Sequence, residues 1–266
     1  MFRPVSDRRV PMRALGRAAP AILSIGLLLV GWEIYVRVSG IAPTTLPPPS
    51  RVGTQLFEQR ATLGEHAAAT LQATAFGFTL SLSAAFVLSV LIDFYRPLRR
   101  ALFPVLIISQ TLPLVAIAPL VVLWFGFGLL PKILLVALVT FFPMLVALAE
   151  GYEATDPDLS ALLASMGASR RRIFVLARLP SALPYFFAGL RISITYAVVA
   201  AIFAEYAGSA KGLGIFILSA KNNFRPDLVL AAVTVSAGLT LILFAVTHLV
   251  QRLAMPWARL TGSAAR

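Results

Sequence analysis

Few residues in this chain could make or break a covalent bond. Its 266 residues include two histidines, His66 and His248, far apart in sequence, and no cysteine, so a thiolate nucleophile, a disulfide and a cysteine metal site are all absent. No Gly-x-x-x-x-Gly-Lys-Ser/Thr phosphate loop occurs, and the glycine cluster from Gly208 to Gly214 is too short to serve as one. Each histidine reads as an interfacial residue without a catalytic neighbour. The residues whose spacing has a physical meaning lie in one polar, arginine-bearing segment, 150–181, and the work open to them is gripping a partner.

Within that segment Asp156-Pro157-Asp158 is a helix start, with acids at the positive end of the helix and proline tolerated in its first turn. Leu159, Leu162, Leu163 and Met166 then recur at helical spacing on one face. Gly167 permits a turn, Ala168 follows, and Ser169 can cap a second helix carrying Arg170, Arg171 and Arg172 through Arg178. Leu179-Pro180 and Pro184 open the apolar run beyond. Two short helices joined at a glycine form a stiff elbow, and its apolar residues suit helix-in-groove docking.

The elements that position this elbow are membrane helices. Apolar residues make up 59% of the chain and charged ones 13%, with a mean hydropathy of +0.86, far above a soluble fold of this length. At about 20 residues per crossing the chain has room for roughly six spans. A basic N-terminus, 1–17, precedes a first span, 18–38. A signal peptide shares these features, but the run is long enough to cross and no small-x-small cleavage site follows it, which favours a retained helix. Glu33 and Arg37 stand one turn apart and can pair.

A proline-rich linker and a short interfacial helix carrying Val52, Leu56 and Leu63 occupy 39–69. The core, 70–250, holds five spans at 70–92, 101–130, 133–149, 183–204 and 228–250, with the elbow segment between 133–149 and 183–204, the fourth and fifth spans of the chain; a tail, 251–266, follows. Pro104, Pro113 and Pro119 each favour a kink in the span 101–130.

The net charge of +12 follows this topology, so nucleic acid is not needed to explain it. The five N-terminal arginines, Arg96, Arg99 and Arg100, Arg170–Arg172 with Arg178, and Arg252, Arg259 and Arg266 fall on one side of a six-span chain. The opposite side receives the smaller group Arg37, Arg51, Arg60, Lys132, Lys211, Lys221 and Arg225. By the positive-inside rule both termini and the elbow are cytoplasmic.

Candidates for a solute path are polar groups and breaks inside the spans: Ser109, Gln110, Thr111 and Pro113, then Tyr196, and Glu205 at the outer end of the fifth span. Ser and Thr can equally bond their own helix, and Glu205 can equally form a structural ion pair. Arg191 is expected to snorkel to the cytoplasmic face or meet Glu150 or Glu153.

The chain resembles the permease subunit of bacterial ATP-binding-cassette importers, whose cytoplasmic loop carries a glycine followed about ten residues later by a hydrophobic-x-Leu-Pro element. Here these are Gly167 and Ala177-Arg178-Leu179-Pro180. Leu46-Pro-Pro-Pro-Ser50, Ser165-Met-Gly-Ala-Ser169, Leu179-Pro-Ser-Ala-Leu-Pro184, Ala188-Gly-Leu190, and Glu205 with Lys211-Gly-Leu-Gly214 extend the likeness. They resemble the branch serving nitrate, taurine, sulfonates and thiamine or riboflavin precursors. Two positions depart from the pattern: the Glu-Ala-Ala triplet is Ala161-Leu162-Leu163, and the usual Ile is Ala177.

The resemblance implies an all-α integral inner-membrane protein of the type I ABC importer permease kind, with a coupling-helix loop. It implies a second permease copy enclosing the path, two cytoplasmic ATPase subunits that carry ATP and Mg, and an extracytoplasmic solute-binding protein. The chain itself would bind no cofactor or metal and would not be an enzyme. An ion-coupled secondary transporter or channel is the alternative; it predicts transmembrane acids or an inverted repeat, and the sequence displays neither.

Overall fold

The computed structural model describes residues 10–256, so the expected basic stretch 1–9 and the tail residues 257–266 lie outside the described residues. All regular structure among the described residues is helical. In chain order the helices are α1 (Val10–Ser39), α2 (Pro49–Glu58), α3 (Arg60–Phe94), α4 (Arg96–Thr111), α5 (Leu114–Phe125) and α6 (Leu129–Glu153). Then come α7 (Pro157–Ser165), α8 (Arg170–Ile173), α9 (Leu179–Ala207), α10 (Leu213–Asn222) and α11 (Pro226–Ala254). A π turn, Phe174–Arg178, joins α8 to α9 without interruption.

Among the described residues five helices are long and apolar enough to cross a membrane, and the bent pair α4–α5 makes a sixth span if it counts as one. That pair corrects the expectation of three proline kinks. The chain turns by 101° at a single break. Leu112 and Pro113 are extended there, as the residue before a proline prefers, whereas Pro104 and Pro119 remain inside α4 and α5 at the loss of one backbone bond each.

The helices α3, α6 and α9 form the packed centre. Small residues allow their backbones to approach, the usual solution where lipid gives helices no hydrophobic drive to associate. A Cβ on Gly77 of α3 would lie 2.6 Å from the Val136 Cβ of α6, and one on Gly151 of α6 would lie 2.6 Å from the Ala182 Cα of α9. Ser193 of α9 donates to the Thr140 carbonyl of α6 at 2.9 Å. Val136, Ala197, Ala200 and Ala201 are buried between the two.

Outside this centre, α2, α10 and α11 cover one end of α3. Val52, Leu63, Leu213, Ile217 and Ala231 are buried there, and Asp227 draws Arg51 (3.1 Å) and Arg225 (2.9 Å) together. Leu63, expected in the short interfacial helix with Val52, belongs instead to α3, which starts well before the uncharged run at Thr70. The short helix α10 was not read from sequence at all. Glu33 pairs with Arg37, as its spacing allowed, and also accepts from the Ser50 backbone (3.0 Å) and hydroxyl (2.8 Å), fixing α1 to the start of α2.

Candidate functional site: a capped elbow and a clasp at the far end of α9

Each arm of the elbow begins as its capping residues dictate. The Asp156 carboxylate accepts from the Asp158 N–H at 2.8 Å to start α7, and the Ser169 hydroxyl accepts from the Arg172 N–H at 3.4 Å to start α8. Between them α7 ends in a Schellman turn: the Ala168 N–H bonds to the Leu163 carbonyl (3.0 Å) and the Gly167 N–H to the Ala164 carbonyl (2.9 Å). Gly167 holds φ +81°, the left-handed region in which only glycine is free of a Cβ penalty.

No residue of α7 is buried. Leu159, Leu162 and Met166 are exposed, Met166 at 75%, while Leu163 and Ala168 are half-buried. Apolar side chains outnumber charges on this helix, and among the described residues Leu159, Leu162 and Met166 remain uncovered. Arg170 and Arg171 are exposed on the second arm.

The second arm differs from the expected free helix. It runs straight into the span, α8 passing through the π turn into α9. Pro180 carries no N–H and its ring would press on the carbonyl four residues back in a regular helix. The wider turn ends just before it, with the Leu179 N–H bonded to the Phe174 carbonyl. Leu179 is half-buried and Pro180 exposed at the head of α9.

The elbow is fastened to the bundle behind it. Phe174 is buried with its ring centroid 5.2 Å from Tyr152 and 5.4 Å from Phe94. Arg178 pairs with Asp93 at the end of α3 at 2.7 Å and donates to the Tyr152 carbonyl at 3.4 Å. Arg99 pairs with Glu153.

At the other end of α9 the structure assembles a second polar constellation, joining Glu205 and Lys211-Gly-Leu-Gly214, which the sequence singles out, to residues that it does not. Glu205 is fully buried. Its carboxylate accepts from the Thr70 hydroxyl of α3 at 2.9 Å and from the Gly214 N–H at 2.7 Å. The Leu213 N–H donates to the same Thr70 oxygen at 2.8 Å, and Lys132 of α6 donates to the Lys211 carbonyl at 3.0 Å. His66 meets Gly212 through Nδ1 at 2.9 Å. The loop Lys211–Gly214 is thereby clasped to α3, α6 and α9. A Cβ on Gly212, which holds φ +142°, would fall on the Glu205 carboxyl group.

Of the expected path residues, Gln110, Thr111 and Pro113 are exposed around the α4–α5 break, and Tyr196 is 52% exposed. The break stands beside the Tyr196 stretch, because Leu114 packs against the cluster containing Ala197 and Ala200. Ser109 and Thr111 turn their hydroxyls to the Leu106 (2.7 Å) and Ile108 (2.8 Å) carbonyls of their own helix. Glu205 is not with this group: it is enclosed in the clasp, because its carboxylate satisfies donors from two other segments.

Arg191 also departs from expectation. It donates to the Gln251 side chain of α11 at 2.8 Å rather than meeting Glu150 or Glu153. Its level on α9 lies between Gly189, which abuts the Pro143 carbonyl, and Ser193, which bonds Thr140, so it is opposite the middle of α6.

Thr70, His66, Lys132 and Asp93 were missed as functional residues. The His66–Thr70 spacing of one helical turn was the available signal, together with the acid of Glu205 and the glycines of Lys211-Gly-Leu-Gly214. Among the described residues no group of three or more metal-ligating side chains occurs.

Comparison with known proteins places this geometry. Residues 70–259 match the family described as the binding-protein-dependent transport system inner membrane component. The chain is 34% identical over 234 residues to the formylaminopyrimidine transport permease protein ThiX of Halalkalibacterium halodurans, covering 88% of this chain and 93% of that one. It is 35% identical over 260 residues to the riboflavin transport system permease protein RibX of Chloroflexus aurantiacus, covering 96% and 97%. With the taurine transport system permease protein TauC of Escherichia coli it shares 31% over 246 residues, covering 88% and 89%.

The fold is similar to a chain of the MetNI methionine ABC transporter in inward-facing conformations, with a TM-score of 0.60 at 18% identity over 75% of this chain and 97% of that one. A helical chain with five or six candidate spans among its described residues and with these relatives belongs to the binding-protein-dependent inner-membrane family, as the multi-pass permease subunit of an ABC importer whose ATPase resides on a separate chain.

Proposed function

We propose that this permease imports a thiamine-pyrimidine or riboflavin-type precursor, working as a pair of identical copies with the path between them and with both termini in the cytoplasm. Two ATPase subunits dock on the elbows, one on each copy. The observation that carries the docking assignment is the apolar face of α7, exposed at Leu159, Leu162 and Met166, on an elbow rigidly capped at both arms. Ala161-Leu162-Leu163 replaces an acid-bearing triplet, so the grip is apolar: Leu162 and Met166 fill a groove, and Arg170 and Arg171 reach its polar rim. The basic residues at the elbow and the α3–α4 turn support the orientation.

ATP binding closes the ATPase pair and turns the permeases outward; the binding protein then releases solute into the space beside the α4–α5 break and Tyr196. Hydrolysis restores the inward-facing state. The solute class is supported by the likeness to the formylaminopyrimidine and riboflavin permeases, at 34% and 35% identity against 31% for the taurine permease.

Leu162→Asp is expected to lower ATPase recovery in a co-purification by roughly tenfold or more, since burying an unpaired carboxylate in an apolar groove costs at least 1.4 kcal/mol. Unchanged recovery would remove α7 from the interface. For the solute, the complex in proteoliposomes with its own binding protein is offered formylaminopyrimidine, riboflavin and taurine in turn. ATP-dependent entry of either of the first two is expected, and entry of taurine alone overturns the assignment.

A further inference from the structure

We propose that the ion pair between Arg178 and Asp93 is the positioning contact through which movement of the elbow reaches the bundle, a proposal that rests on the elbow being the ATPase dock. A cavity of 640 Å³ lies behind the elbow, between it and the ends of α3 and α6, and Asp93, Glu153, Thr155, Arg170 and Arg178 all border it. The elbow is therefore not packed solidly on the helices it must move. A push on α7 has to travel around the cavity, through covalent chain and through discrete contacts.

On the α6 side the chain between Glu153 and α7 has few ties. The Ala154 N–H bonds to the Glu150 carbonyl at 2.9 Å, and Thr155, though buried, has a hydroxyl without a hydrogen-bond partner. On the α9 side the route is stiffer. Force enters α8 and crosses the π turn, which is wider than an α-helical turn and a natural point of twist. The last residue of that turn is Arg178.

Its Nη1 lies 2.7 Å from one Asp93 carboxylate oxygen and donates to the other at 2.8 Å, while its Nη2 donates to the Tyr152 carbonyl at 3.4 Å. The Asp93 side chain is only 9% exposed, and Tyr152 is locked by its own hydroxyl against Ser89 at 3.1 Å. One side chain thus ties the foot of α9 to the feet of α3 and α6. A charge-assisted contact whose planar guanidinium is divided between two helices keeps its geometry under load, whereas an apolar contact can slide. The neighbouring rings of Phe174, Tyr152 and Phe94 fill space beside it without fixing direction.

Because the chain lacks cysteine, Phe224, 81% exposed on the turn between α10 and α11, can be replaced by a single spin-labelled cysteine. In nanodiscs holding the full permease with its own ATPase, trapping with ATP and vanadate is expected to shift the label-to-label distance between copies. Asp93→Asn and Arg178→Gln should each keep ATPase co-purification and basal hydrolysis within about twofold of wild type, and lower the shifted population about tenfold, within the range that single positions contribute to coupling.

The exchanged pair Asp93→Arg with Arg178→Asp should restore the shift. A full shift in either single variant, failure of the exchanged pair to restore it, or loss of ATPase from the single variants overturns the proposal. Failure of the wild-type permease to retain its ATPase would instead sink the docking reading itself.

Discussion

A Gly167→Val permease is expected to insert in the membrane and to lose its ATPase. Nothing in the structure lies within 4 Å of where a Gly167 side chain would begin, so the substitution meets no wall. The penalty is conformational: at φ +81° a β-branched residue is strained by roughly 1–3 kcal/mol, and the chain relieves it by leaving the left-handed region. The two Schellman bonds from Ala168 and Gly167 would then break, and the angle between α7 and α8 would open.

Because α7 buries none of its own residues, nothing else restores that angle. Docking needs the face of Leu162 and Met166 presented together with Arg170 and Arg171. Gly167→Asn separates geometry from bulk, since asparagine tolerates left-handed backbone, and it should retain most of the partner. The measurement is ATPase recovered per inserted permease; wild-type recovery with Val would show that the turn does not set the docking geometry.

Gly212→Val should destabilise the folded permease by about 3–5 kcal/mol, the range for leaving a buried charge without its partners. The first atom of the new side chain occupies the position of the Glu205 carboxyl group. Displacing that group would unpair the Gly214 N–H and the Thr70 hydroxyl and loosen the loop that Lys132 also holds. Thermal unfolding in detergent reads the loss, and proteolysis at Lys211 reads the local opening.

Gly212→Ala combined with Glu205→Ala is diagnostic. If collision is the mechanism, the double variant loses less stability than the two single losses added together, because removing the carboxylate makes room for the methyl group. A melting point for Gly212→Val equal to that of wild type would mean that the clasp does not hold this end of the bundle together.

The elbow segment was largely legible in sequence because its signals are local. Asp156-Pro157, Gly167 and Ser169 act through backbone groups within three residues of themselves, and each does in the structure what capping chemistry requires. The run of the second arm into α9 was not legible, since the π turn depends on how Phe174 and Arg178 are held from other helices. The same distinction explains Glu205. An acid near the end of a span reads equally as a path contact or as half of a structural ion pair, and its partners Thr70 and Gly214 come from segments that sequence cannot align.

The proline-bearing span shows the limit of local rules from the other side. Pro104, Pro113 and Pro119 have the same intrinsic effect, but only the Leu112-Pro113 junction breaks the helix, turning α4 from α5 by 101°. Arg191 is a further case: its reach covered several polar groups, and the approach of α11 selected Gln251.

By itself the sequence determined that this protein is a bundle of membrane helices with a capped elbow between two of them. Apolar run length and helix-start chemistry are properties of neighbouring residues, so they survive without a fold. Only the tertiary structure decided which polar groups close on one another: Arg178 on Asp93, Glu205 on Thr70, Arg191 on Gln251. In an apolar bundle a buried polar group must find a partner wherever packing brings one, and packing is set by the fit of distant helices.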